Sequence, residues 1–69
     1  MKYLVVVEKA QNNFSAYVPD LPGCVATGAT VEEAEARIRT AITMHLAGLR
    51  QDGLPIPEPQ AHSAVIDAS

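Results

Sequence analysis

One cysteine, no tryptophan and only three aromatic side chains, Tyr3, Phe14 and Tyr17, occur in the 69 residues of this chain. A lone thiol cannot close an internal disulfide, so the fold draws no stability from that source. With aromatics so scarce, the 48% of residues that are hydrophobic are mostly Val, Ile, Leu and Ala. Such a composition suits a thin layer of helix on sheet and leaves little material for an enclosed ligand pocket. Basic residues are few as well: Lys2, Lys9, Arg37, Arg39 and Arg50 stand against eight acidic residues, for a net charge of −3. Spread along the chain, they form no concentrated patch of the kind that phosphate binding needs, and no direct nucleic-acid partner is expected. A mildly acidic surface is a better complement to a basic protein, where charge mainly speeds encounter. No apolar run approaches the length needed to span a membrane, and no basic start with an apolar core marks a secretory leader. The expectation is a cytoplasmic protein without a membrane partner.

Residues 1–69 read as one domain, with no repeat, low-complexity tract or linker to divide them. A domain of this size buries only about 60% of the surface its unfolded chain exposes, so the monomer is expected to be marginal and to gain from self-association as a dimer or tetramer. Residues 2–9 predict a buried strand, because Leu4, Val5, Val6 and Val7 are apolar on both faces, and this is the expected central strand. The Asn-rich connection Ala10-Gln11-Asn12-Asn13 suits a hairpin. Phe14 to Val18 then alternates, with Phe14, Ala16 and Val18 on one face and Ser15 and Tyr17 on the other. Pro19 and Pro22 lack a backbone donor and extend the residues before them, while Gly23 permits a positive φ. A stiff corner is expected there, followed by a short third strand from Cys24 to Gly28.

Thr30 and Glu33 form a T-x-x-E capping box, and Glu32, Glu33 and Glu35 place negative charge where the helix dipole favours it. Val31, Ala34, Ile38, Ala41, Ile42, His45 and Leu49 follow at spacings of three and four and define the face that lies on the sheet. Arg50 and Gly53 end the helix, and Pro55, Pro57 and Pro59 forbid its continuation. A final strand over residues 63–67, through Ala64-Val65-Ile66, is expected to return beside the first strand. A right-handed strand-helix-strand crossover makes that pairing parallel. The fold class is therefore α+β, in the order β-β-β-α-β.

The segment Tyr17-Val18-Pro19-Asp20-Leu21-Pro22-Gly23-Cys24, followed at once by Val25 to Gly28 and Thr30-Val31-Glu32-Glu33-Ala34, resembles the signature of HicB-type antitoxins. The opening residues 1–9 and the helix end at residues 49–57 look like the same family's small domain, so the resemblance covers about the first sixty residues. It implies a reduced RNase H-like fold that binds and silences a HicA-like, mRNA-cutting partner, with a separate C-terminal segment for operator DNA. Residues 1–69 do not reach such a segment, so operator binding is not expected of them.

Residue chemistry argues in the same direction. A two-metal nuclease needs carboxylates converging on ions about 4 Å apart. Glu8, Asp20, Glu33 and Asp67 are the candidates, and they read better as strand-end, turn, capping and terminal residues. Cys24 reads as a buried, inert thiol, because nothing in the sequence places a cation beside it to lower its pKa. His45 reads as a packed or interface histidine and His62 as a loop residue, with no metal-ligand spacing between them. The Pro55-Ile56-Pro57-Glu58-Pro59 run lacks basic flanks and reads as a stiff spacer rather than a docking ligand. No catalytic, cofactor-binding or metal residue is assigned, and no cofactor is expected. The expected function is non-enzymatic inhibition of a HicA-type mRNA interferase by occlusion. The rival readings are an oligomeric interaction module of the same fold without a toxin and, less favoured, a weak metal-dependent nuclease. Tyr17, Pro19, Asp20, Leu21, Pro22 and Gly23 are the expected surface for partner contact or self-association.

Overall fold

Three short strands form an antiparallel meander, and one long helix crosses a single face of it. The computed structural model describes residues 1–69, with β1 at Val6–Lys9, β2 at Phe14–Tyr17, β3 at Val25–Gly28 and α1 at Val31–Gln51. The strand order is β1-β2-β3, so β2 is central and β1 lies at an edge. The register pairs Val7 with Ala16 and Ala16 with Ala26, and this row faces the helix. The neighbouring row, Val6 with Tyr17 and Tyr17 with Val25, faces away because successive side chains alternate. A hydrogen bond from the Ala10 amide to the Asn13 carbonyl, 2.8 Å, closes the β1–β2 hairpin where the polar run stands.

The helix begins as its sequence dictates, with one refinement. Thr30 Oγ1 accepts the Glu33 amide at 3.1 Å, and Glu33 Oε1 accepts the amide of Ala29, one residue before the cap, at 2.8 Å. Arg37 extends this cluster: it lies 3.4 Å from Glu33 and donates to the Thr27 carbonyl at 3.1 Å, which ties α1 to β3. At the far end Gly53 takes φ +68, the Leu54 amide reaches the Leu49 carbonyl and the Gly53 amide reaches that of Arg50. These paired bonds are the Schellman closure that a left-handed glycine permits.

The core is small: Ala16, Val18, Leu21, Cys24, Ala34 and Ile38 are buried, with Val5, Phe14, Ala26 and Ile42 among the residues packed round them. Its tightest point is Gly28, where a β-carbon would stand 2.5 Å from the Ala34 amide nitrogen. Only a residue without a side chain lets the helix backbone approach β3 so closely.

Two expectations are corrected. No strand forms after the helix; residues 63–67 run without strand structure, and Val65 and Ile66 are exposed. As a result the first strand is an edge strand rather than the central one, and its ladder starts at Val6 rather than Lys2. The route of the tail explains the difference. Tyr3 Oη donates to the Pro57 carbonyl at 2.6 Å, and Asp20 Oδ2 accepts the amides of Gln60 and Ala61, both at 3.0 Å. Between Pro57 and Ala61 the chain thus passes from Tyr3, which precedes β1, to the corner that follows β2. That course leads away from the free edge of β1, and residues 63–67 are not delivered to it.

Replacing Gly28 by alanine is expected to destabilise the domain by about 1–3 kcal/mol, the usual scale of overpacking. Urea unfolding checks this, with Gly48→Ala as control, since a β-carbon at Gly48 meets no atom within 4 Å.

Candidate partner-binding surface

The corner expected between the second and third strands is two turns in series. The Leu21 amide donates to the Val18 carbonyl at 3.0 Å, and the Cys24 amide donates to the Leu21 carbonyl at 3.0 Å. Each turn carries proline at its second position, where the fixed φ is already correct. In the second turn Gly23 follows at φ +82, the value that defines a type II turn. The Val18 amide then bonds the Cys24 carbonyl at 3.2 Å and shuts the loop at its base. Every residue of the corner is held by backbone geometry, which makes it a rigid projection.

The six residues expected to form a surface divide by role. Tyr17, Pro19, Pro22 and Gly23 are exposed. Leu21 has no exposed surface at all; it points inward as the plug of the corner and belongs to the core. Asp20 is partly buried and spends its carboxylate on the Gln60 and Ala61 amides. The corner therefore presents two prolines and a glycine outward, while leucine and aspartate hold it in place.

Two neighbouring residues complete this surface. Val6 and Val25 flank Tyr17 in the outward row of the sheet, and Val25 is 65% exposed and Tyr17 39%. Three strands thus contribute one apolar row, continuous with the proline corner, on the face opposite the helix. The apolar doublet of Val6 with Val7 signalled that both faces of β1 matter, but only the register shows that Val6 and Val25 meet Tyr17.

The chemistry-bearing residues lie apart. Glu8 is on the exposed end of β1, Asp20 is engaged with the tail, Glu33 caps the helix and Asp67 is in the exposed tail. No group of three or more His, Cys, Asp or Glu side chains is close enough to hold a metal ion. Cys24 is buried, and burial pushes its thiol above the ordinary range, so the reactive thiolate is disfavoured at neutral pH. His45 is half-buried on α1. No helix is long and apolar enough to cross a membrane.

The corner and the outward apolar row thus stand on the helix-free side of the sheet, and the titratable groups are dispersed. The family model for the HicB-like antitoxin of bacterial toxin-antitoxin systems matches residues 3–69, and the chain belongs to that family. It is 34% identical over 58 residues to a 14.9 kDa protein from the rep-hol intergenic region of Haemophilus phage HP1, covering 84% of this chain and 44% of that one. A UPF0150 protein of Helicobacter pylori strain J99 is 45% identical over 49 residues, covering 71% and 68% respectively. The chain therefore spans less than half of the phage protein and about two thirds of the Helicobacter one. Among solved structures it is similar to a chain of a HicA3 and HicB3 toxin-antitoxin complex, with a TM-score of 0.73 and 28% identity over 86% of this chain and 70% of that one. The match agrees with three antiparallel strands followed by one helix.

Two outcomes are expected. Asp20→Ala should speed amide exchange at Gln60 and Ala61 by about tenfold, on the scale of a lost charge-assisted hydrogen bond, with the β2 amides unchanged by NMR. Iodoacetamide should label Cys24 slowly in the native protein and rapidly in urea, as followed by mass spectrometry.

Proposed function

We propose that the domain is a non-enzymatic antitoxin that binds a HicA-type mRNA interferase and inhibits it by covering its RNA-binding or catalytic surface. The contact surface is the outward row of Val6, Tyr17 and Val25 together with Pro19, Pro22 and Gly23. The observation that carries this reading is the exposed apolar row beside a corner that is already rigid in the free chain. A preorganised surface loses little conformational freedom on binding, so more of its burial appears as affinity. Membership of the antitoxin family supports the class of partner, and the solved HicA3 and HicB3 complex contains both kinds of component. The net charge of −3 favours a basic partner. Inhibition in this mechanism is steric: the apolar row and the prolines seat on the toxin, and the body of the domain denies RNA access to it. No proton transfer or covalent step is asked of this chain.

The test is co-expression with a small basic, HicA-like protein from a reading frame adjoining that of this chain. Growth arrest by that protein alone, relieved by this chain, supports the proposal; failure to bind or relieve arrest overturns it. Tyr17→Asp and Val25→Asp should each weaken the complex by about tenfold or more, as expected for a charge placed in the buried centre of an interface, while circular dichroism shows the fold retained.

A further inference from the structure

At β1 the sheet edge is unpaired and a groove runs along it under α1. Val7 of β1 and Tyr3 and Val5 of the segment before it line one wall, and Ile38 and Ile42 stand opposite on α1 with Glu35 and Arg39 at the rim. Between them runs an open groove of about 310 Å³. Beside it the outer edge of β1 has no strand partner, so its backbone donors and acceptors face outward. The groove and the edge together are what one further strand would fill: backbone to the edge, alternate side chains into the groove.

The same molecule carries a matching donor. Residues 63–67 contain Ala64, Val65 and Ile66, and the last two are 102% and 82% exposed. In an extended conformation Ala64 and Ile66 share one face, which would enter the groove over Ile38 and Ile42, and Val65 takes the other, beside Val6. The tethers at Tyr3 and Asp20 send this segment away from the edge of its own copy.

We infer that residues 63–67 of one copy add as a strand to the free β1 edge of a second copy, with Ile66 in the groove, and that the exchange is reciprocal. One association then pairs two edges, fills two grooves and withdraws both exposed Ile66 side chains from water. This inference does not rest on the toxin reading, because its acceptor is the β1 edge with the helix-facing groove, and only Val65 lies on the outward face, beside Val6 at the end of that row.

The experiment is an isotope-filtered nuclear Overhauser measurement on a mixture of 13C-labelled and unlabelled full chain, with sedimentation velocity on the same sample. Exchange predicts a dimer with contacts between the Ile66 methyls of one chain and the Val5 or Val7 methyls of the other. Ile66→Asp should raise the dimer dissociation constant by about tenfold or more, the scale of withdrawing one aliphatic side chain from a buried site. Its β2 and α1 amides should keep their native hydrogen-exchange protection, since Ile66 is 82% exposed in its own copy. The inference is overturned by a monomer, by contacts within a single chain, or by a dimer that Ile66→Asp leaves intact. Loss of toxin binding in Tyr17→Asp with the dimer preserved would separate the two surfaces.

Discussion

The close approach of the helix backbone to β3 at Gly28 sets the geometry on which the rest of the domain depends. With Ala34 seated directly against the glycine, α1 lies low over the third strand, and the small side chains of Ala16 and Ala26 let it stay low across the sheet. The helix then covers β3 and β2 more fully than β1. Ile38 fills the middle of the layer, and Arg37 and Glu33 lock the same helix turn to the end of β3. The groove along β1 follows directly: a helix anchored at the opposite edge cannot cover the whole sheet.

Local signals in the chain were legible where a few adjacent residues decide the structure. Thr30 and Glu33 mark the helix start, Gly53 its end, and the alternation of Phe14, Ala16 and Val18 the buried face of β2. The corner was legible too, since proline at the second position of each turn and glycine at the third dictate backbone angles with little outside help. The final strand was not. Ala64-Val65-Ile66 has a strand's composition, but composition carries no information on where the chain has been led by then. That is set by Tyr3 bonding Pro57, 54 positions on, and by Asp20 bonding Gln60 and Ala61, 40 and 41 positions on.

The outward projection of the corner was legible for a related reason. A segment dense in proline, aspartate and glycine reads as a projection, and four of its six residues do face solvent. Leu21 and Asp20 differ because a rigid corner must itself be anchored, one by apolar burial and the other through its carboxylate. Val6 and Val25 escaped notice because each is unremarkable in its own strand, and only the cross-strand register brings them to Tyr17.

The molecule measures 46 × 27 × 16 Å, so its shortest dimension holds one helix and one sheet. Within β2 the buried Ala16 and the exposed Tyr17 are consecutive, and the interior and the outward row share a single strand of backbone. Gain or loss of one residue there would turn each side chain to the opposite face and exchange core for surface at a stroke. The Ala10–Asn13 loop carries no such constraint beyond closing its hairpin. Length variation among related chains should therefore collect in that loop and beyond Ala61, while the spacing from Phe14 to Ala34 stays fixed even where the residues themselves change.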